Sequence, residues 1–231
     1  MNFEIKKNLF KLKYLPFILK SKKLNKNLKK KFINEKKLFI KEIDKKNYTN
    51  KLFLNNFHIF HYFFSKYSNK KFSYLEIGSF EGLSANYVLY HFKKCNLYAI
   101  DLWREANLNS DKLNVNFKQI ENRFDSNLSR YKFTKLKGDS VTKIRELIKK
   151  KIYFDFFYID GSHTGEDILS DAIECYKLLK KSGYIIFDDI NASNKSLNLQ
   201  PFEAFDLFNK IHKKKIEIKY LGNIAVIQKI N

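Results

Sequence analysis

The chain has 231 residues, 44% of them apolar, which suffices for one ordinary domain with a real core and a short addition. Its formal charge of +21 invites a nucleic-acid reading, but only four of the 45 basic residues are Arg (Arg104, Arg123, Arg130, Arg145), so the fork that grips phosphates and guanine edges is scarce, and a lysine bias shared with the abundant Asn, Ile, Phe and Tyr accounts for the charge without a partner. Two cysteines, Cys95 and Cys175, provide neither a disulfide framework nor metal-ligand spacing, and no run of 18 apolar residues is present to cross a membrane.

Residues 1–51 stand apart by charge. They hold 17 Lys against Glu4, Glu35, Glu42 and Asp44, a net of +13, which leaves +8 for the other 180 residues. They contain no Gly, and Pro16 is one of only two prolines. Lysines interrupt the apolar islands Leu9-Phe10, Tyr14-Leu15 and Phe17-Ile18-Leu19, so a signal-peptide core is not formed and a cytoplasmic location is expected. Two readings stay open for this extension. The plainer one is a solvated, partly helical or disordered segment; the other is a basic helix lying on an anionic membrane, peripheral to the inner face of a bilayer. Residues 52–231 read as one domain.

The aromatic stretch 52–67 predicts a helix packed on a sheet edge. His58 and His61 lie three apart on one face of it, without a third ligand, and read as core or boundary residues. From residue 72 the pattern alternates. Strands are expected at 72–77, 97–101, 132–137, 153–160 and 184–188. Helices are expected at 82–93, about 114–126, 140–150, 165–181 and 201–212, the last opened by Pro201, where a missing N–H costs nothing. Residues 216–220 and 224–229 read as two strands around Leu221-Gly222-Asn223. Repeated βα units mean a mostly parallel sheet with helices on both faces, here closed by an antiparallel hairpin at the C-terminal edge. Both cysteines fall in these elements and read as buried, reduced thiols.

Gly78 and Gly82 bracket the turn between the first strand and its helix. Such a turn brings backbone N–H groups close to a ligand, although a lone Gly-x-x-x-Gly reads equally well as a tight βα turn with none. The strand ends downstream add weight: Glu76, Asp101, Gly138-Asp139-Ser140, Asp160 and Asp188-Asp189 place acids where open α/β sheets bind ligands. Asp101, 25 residues after Glu76, suits both hydroxyls of a ribose. Trp103, the only Trp, suits an adenine face or the core with equal ease. Asp139 and Ser140 suit an adenine edge, a helix cap, or both.

Glu-Ile-Gly-Ser-Phe-Glu-Gly at 76–82, Ile-Asp-Leu-Trp at 100–103, Gly-Asp-Ser at 138–140, Tyr-Ile-Asp-Gly-Ser-His at 158–163 and Phe-Asp-Asp at 187–189 together resemble the class I S-adenosylmethionine-dependent methyltransferases. The resemblance is to the branch similar to macrocin O-methyltransferase, related in plan to catechol O-methyltransferase. It covers about residues 70–230 and leaves the first 50 unmatched. It implies an α/β, Rossmann-like, doubly wound seven-stranded sheet with an antiparallel last strand. It departs at Phe80, where many members carry a second glycine. Carried over by position, Glu76, Gly78, Ser79, Phe80, Gly82 and Ser84 would line the methionine moiety. Asp101 would hold the ribose, and Trp103, Asp139 and Ser140 would flank the adenine.

In the implied fold the strands ending in Asp160 and in Asp188-Asp189 are neighbours. Three carboxylates there repel one another unless a cation sits between them, and oxygen-only ligands suit Mg²⁺, which the resemblance also implies. The ion would bind the substrate hydroxyl and lower its pKa, with Asp160 at the catalytic centre. His163, three residues on, is the candidate general base; its plainer roles are to bond the metal carboxylates or to help Thr164 cap the following helix. The expected function is O-methylation of a small hydroxylated molecule, with a sugar or glycosylated metabolite implied by the resemblance alone. Two alternatives are carried. One is a nucleic-acid methyltransferase, disfavoured because Pro16 and Pro201 leave no Asn/Asp-Pro-Pro-aromatic strand end. The other is a non-catalytic S-adenosylmethionine-binding or membrane-surface protein on the same fold. Acceptor contacts are expected from the N-terminal region, the 52–67 stretch and the loop 190–200.

Overall fold

Phe72 and Tyr74 leave the first strand, β1 (Phe72–Ile77), on one face, and Leu75 and Ile77 leave it on the other; all four are buried. That is the signature of a strand covered on both sides. The computed structural model describes residues 2–104, 116–192 and 196–230. The expected helix start near 114 and residues 193–195 of the loop 190–200 lie outside them. After β1 come β2 (Cys95–Asp101), β3 (Thr134–Lys137), β4 (Phe154–Ile159), β5 (Leu179–Phe187), β6 (Ile216–Leu221) and β7 (Ala225–Lys229). They form one sheet in the order β3-β2-β1-β4-β5-β7-β6, parallel through β5 and antiparallel at both contacts of β7. The C-terminal hairpin is therefore at the edge as expected, with its second strand tucked inside its first.

The helices are α1 (Phe3–Lys13), α2 (Leu15–Lys31), α3 (Ile33–Ile43), α4 (Phe57–Phe64), α5 (Leu83–His91), α6 (Phe117–Leu128), α7 (Ser140–Lys149), α8 (Gly165–Leu178) and α9 (Pro201–His212). One core layer joins the sheet to α4, α5 and α6, and the other joins it to α7, α8 and α9. The 52–67 stretch is not one helix. Two 3-10 turns flank α4, and the break falls at Asn55-Asn56, a polar pair in an apolar run. Strand β5 begins earlier than expected, at Leu179 opposite Phe154, ahead of a register shift between Phe154 and Phe156. Both thiols are free; Cys175 is buried and Cys95 half-buried. Among the described residues, no helix is long and apolar enough to cross a membrane.

The division that charge draws at residue 51 is not a division in packing. Helix α1 lies on α9, where Phe10 meets Phe202 at 5.4 Å between ring centres, Lys6 pairs with Glu203 at 3.0 Å, and the Tyr14 hydroxyl donates to Asp206 at 2.7 Å. Helix α2 then crosses the outer strand, where the Leu221 N–H donates to the buried Ser21 hydroxyl at 2.8 Å. Leu28, Phe32, Phe39 and Ile43 finish in the opposite core layer, with Phe39 against Phe57 and Tyr87. The basic segment is a strap that runs from one face of the sheet round the β6 edge to the other, covering an edge that would otherwise offer unpaired backbone groups.

The sheet's ladder continues past its strand ends. Gly138 N–H donates to the Asp101 carbonyl, Gly78 N–H to Ile100, Asp160 N–H to Ile77 and Asp188 N–H to Ile159, each at 2.9 Å. These four bonds set the ends of five strands, β3-β2-β1-β4-β5, side by side. At their centre Gly78 has φ +84°, and a Cβ there would stand 2.0 Å from the Asp160 carbonyl oxygen. Gly82, at φ +80°, would meet only side-chain atoms of Leu128 and Phe124, at 3.0 Å. Both alanine variants bear the left-handed backbone cost of about 1–2 kcal/mol, but only Gly78→Ala must also push backbone aside. Urea unfolding should show Gly78→Ala less stable than Gly82→Ala by about 2 kcal/mol or more; equal losses would mean the close approach at Gly78 is not a constraint.

Candidate functional site

Two cavities open at the carboxyl ends of the strands and share Gly78, Phe80, Asp160 and Gly161 as a common wall. The first, about 370 Å³, takes in the glycine turn, His163, Asp188, Asp189 and the Tyr48–Asn56 segment. The second, about 310 Å³, is lined by Asp101, Leu102, Arg104, Gly138 to Val141 and Asp171. The sheet register thus brings the strand-end residues at 78, 101, 139, 160 and 188 around one continuous pair of spaces.

The turn Gly78-Ser79-Phe80-Glu81-Gly82 is wound by three positive φ values, at Gly78, Phe80 (47°) and Gly82. Phe80 therefore adopts the left-handed conformation a glycine would take, and it turns its N–H to Asp101 Oδ2 at 2.8 Å. Asp101 Oδ1 accepts the Trp103 N–H at 2.8 Å. The Asp101 carboxyl is thereby fixed at the mouth of the second cavity, and burial holds its pKa up, partly offset by these N–H bonds. Glu81, buried beneath the turn, accepts from Thr49 N–H at 2.6 Å and lies 2.8 Å from Arg123 Nε, which ties the strap's connecting segment to the turn.

Glu76 lies below the cavities and does not line them. It is fully buried; one oxygen accepts the Tyr74 hydroxyl at 2.8 Å, and the other, like Ser79 Oγ, has no well-formed hydrogen bond. Burial pushes its pKa up to about 7 against the hydroxyls of Tyr74, Ser79 and Ser84. Ser79 and Ser84 line the first cavity directly above it. Trp103 does not line either cavity. It is 3% exposed, packs at a tilt against Phe124 with 4.6 Å between ring centres, and donates its indole N–H to the Phe80 carbonyl at 2.9 Å. Of its two sequence readings the core aromatic is the observed one, and its neighbours Leu102 and Arg104 face the second cavity instead.

Asp139 caps α7 through the Thr142 N–H at 2.8 Å and still lines the second cavity. Ser140 lines it too, donating its hydroxyl to Asp171 at 2.6 Å.

Asp160 and Asp188 meet at one hydroxyl. Tyr158 Oη lies 2.8 Å from Asp160 Oδ2 and also hydrogen-bonds Asp188 Oδ2. A phenol has one proton, so it satisfies only one of two ionised carboxylates. Burial, then the charge of Asp188, pushes Asp160 well above the carboxylate range; burial raises Asp188 to about 6, with Asp189 adding to the rise. Asn56 donates to Asp188 Oδ1 at 3.2 Å. Asp189, at φ 43°, lines the same cavity and donates its N–H to Asp188 Oδ1 at 2.8 Å, while its own Oδ1 accepts from Asn223 at 3.0 Å and its Oδ2 lies 3.8 Å from His163 Nε2. Two crowded hard-oxygen donors fit a divalent cation by chemistry. Among the described residues no group of three or more His, Cys, Asp or Glu is assembled to hold a metal.

Sequence reasoning passed over Tyr158, Asn56 and Asp171. Tyr158 reads as one more aromatic in a buried strand. Asn56 has a visible signal, a polar break in an apolar run. Asp171 has one too, since it interrupts the apolar face Ile168–Ala172–Cys175 of α8. Burial pushes Asp171 up to about 7. Folded, it stays protonated to about pH 7, whereas unfolded it ionises near 3.8, so stability is lost as pH rises between those values. The full cost above pH 7 is on the order of 4 kcal/mol. Asp171→Asn keeps an acceptor for Ser140 and should gain stability over wild type at pH 8 and none at pH 4. A pH-independent difference in unfolding free energy would contradict the buried, neutral carboxyl.

Residues 75–190, half of the chain, match the family described as Methyltransferase domain. An uncharacterised protein, R132, of Acanthamoeba polyphaga mimivirus is 28% identical over 163 residues, which cover 68% of this chain and 69% of that one. Among solved structures, the MycE methyltransferase of the mycinamycin biosynthetic pathway, in complex with Mg, SAH and mycinamycin VI, superposes with a TM-score of 0.59 at 15% identity, covering 85% of this chain and 54% of that chain. The O-methyltransferase TomG of Streptomyces achromogenes, involved in tomaymycin synthesis and in complex with SAM, gives 0.55 at 13% identity, covering 75% of this chain and 78% of that one. At such identities the likeness is one of fold, and this chain spans about half the length of MycE. The sequence match over β1 to the end of β5 is what assigns the protein: it belongs to the methyltransferase domain family.

Proposed function

We propose that the protein is an S-adenosylmethionine-dependent O-methyltransferase acting on a hydroxyl of a small molecule, in the branch similar to macrocin O-methyltransferase. The observation that carries this reading is the junction of two cavities at Gly78–Phe80 and Asp160–Gly161, with a ribose-type carboxylate on one side and a carboxylate pair beside an imidazole on the other. MycE and TomG, with their SAH and SAM, support the cofactor, and mycinamycin VI in MycE supports a small-molecule acceptor; a sugar or glycosylated metabolite rests on the resemblance of the sequence alone.

In this reading the second cavity takes the adenosine. Asp101 accepts the ribose hydroxyls while its other lone pairs stay bound to the backbone N–H groups of Phe80 and Trp103, which keep it from turning away. Asp139 and Ser140 flank the base. The methionine portion lies along Gly78, Ser79, Phe80 and Ser84, with Gly82 closing the turn against Leu128 and Phe124 outside the cavity lining and the unsatisfied oxygen of Glu76 beneath to balance an ammonium. Asp160 and Asp188, with Asp189 beside them, would hold Mg²⁺. When bound, the cofactor supplies an activated methyl group and the ion supplies positive charge beside the acceptor oxygen.

The chain's own part is to position and deprotonate. His163 lines the same cavity as Asp160 and Asp188 and takes the hydroxyl proton at an imidazole nitrogen. Asp189 Oδ2 lies 3.8 Å from its Nε2. Tyr48, Asn50, Leu52, Phe53 and Asn55 wall the acceptor side and exclude water from it.

His163→Ala should lower kcat by roughly 10²-fold or more while S-adenosylmethionine affinity stays within about threefold by calorimetry. Asp188→Asn, or EDTA on the wild type, should abolish methyl transfer over a panel of hydroxylated acceptors. Full turnover in EDTA removes the ion, near-normal kcat in the His163 variant removes the base, and absence of cofactor binding by the wild type removes the reading as a whole.

A further inference from the structure

The strap has two apolar faces, and the domain uses only one. Phe10, Tyr14, Ser21 and Leu28, spaced 4, 7 and 7 residues apart, are the buried face of α1 and α2. Ile5, Leu9, Leu12, Leu15 and Leu19 follow one another at intervals of 4, 3, 3 and 4, and all are between 45% and 67% exposed. The helical hydrogen bonds run through the α1–α2 joint, from Tyr14 N–H to the Phe10 carbonyl at 3.1 Å and from Ile18 N–H to Tyr14 at 3.0 Å. The five aliphatic side chains therefore form one stripe about four turns long, on the side of the helix turned away from α9 and the sheet. A soluble helix docked by its apolar face ordinarily carries polar residues on the opposite one.

Charge specifies what meets the stripe. In α2 the outward row continues after Leu19 as Lys23, Lys26 and Lys30, with Lys20 and Lys22 beside it. Among the described residues these five make no ion pair, whereas Lys6 and Lys13, on the docked side of α1, pair with Glu203 and Asp206. The segment carries +13 of the chain's +21. We infer that α1 and α2 form a docking surface for an anionic lipid bilayer, with the aliphatic stripe entering the interface and the lysines of α2 lying over the headgroups. Nucleic acid would use the lysines but has no use for five exposed aliphatic side chains in a row. The packing of Phe10 and Tyr14 holds the strap to the domain, so the helix binds as a preformed plane and does not fold on the lipid.

The test uses the full chain and sedimentation with vesicles of phosphatidylcholine alone or containing phosphatidylserine. Wild type should bind the anionic vesicles about tenfold or more better than the neutral ones. Leu9→Ser/Leu12→Ser/Leu15→Ser, on exposed positions, should keep the wild-type circular dichroism and melting point and lose about tenfold or more of the binding to anionic vesicles. Lys22→Gln/Lys23→Gln/Lys26→Gln/Lys30→Gln should erase the preference for anionic over neutral lipid. Failure of the wild type to sediment, or undiminished binding by the leucine variant, overturns the inference. So does an RNA competitor that displaces the protein from vesicles and binds the leucine variant as tightly as wild type, since that makes the surface a nucleic-acid site.

Discussion

The site depends on one close approach, that of Gly78 to the carbonyl of Asp160. Strands β1 and β4 are neighbours, and their ladder extends one bond past the strand ends, from Asp160 N–H to the Ile77 carbonyl. That bond draws the two chains together where β1 turns away into the glycine loop. Any side chain at 78 would stand against backbone, at 2.0 Å, and would part the two ends. The common wall of the two cavities, Gly78, Phe80, Asp160 and Gly161, is this contact seen from above. The glycine serves the joining of two strands first, and the room it leaves for a ligand is a consequence.

Around that contact the fold buries carboxyl groups whose charged forms it disfavours. Glu76 and Asp171 are pushed up to about 7, Asp188 to about 6 and Asp160 well above its ordinary range, in each case first by burial. A chain rich in lysine could have neutralised them. Among the described residues no Lys or Arg ion pair reaches any of the four; the bases pair instead with acids such as Glu121, Glu174 and Asp206. Carboxyls left without counter-charge in this way are costly to the empty protein and ready for ligands that bring positive charge or hydroxyl donors. The Tyr158 hydroxyl, shared between Asp160 and Asp188, holds the costliest pair together in the meantime.

The sheet was legible in the sequence because its strands are covered on both faces and are therefore nearly continuous apolar runs, and because a chain with seven glycines places them at junctions. The acids at the strand ends were legible for the same reason: an Asp closing such a run has nowhere to go but the crevice. Trp103 was not decidable, since a ring two residues past a strand end can turn up to a ligand or down onto Phe124, and only the Phe80 carbonyl, which takes its indole N–H, fixes the choice. The direction of Asp189 was hidden too. Its positive φ, not its place in the Asp-Asp pair, turns it toward Asn223, a residue 34 positions away in the chain.

The strap was hidden for a different reason. Lysines dominate its average composition, and averages hide a buried face that needs only Phe10, Tyr14, Leu28, Phe32, Phe39 and Ile43 among some forty residues. Long lysine stems tolerate burial of their neighbours while their heads stay in water, so a charged helix can dock as firmly as a neutral one. The consequence reaches the site. Where the strap ends, Thr49 is bonded to the buried Glu81 and Asn56 to Asp188, so residues 48–56 become one wall of the first cavity. Arg123 of α6 holds Glu81 from the other side, at 2.8 Å. One wall of the first cavity is thus built by a segment outside the family match, on a floor built by residues within it.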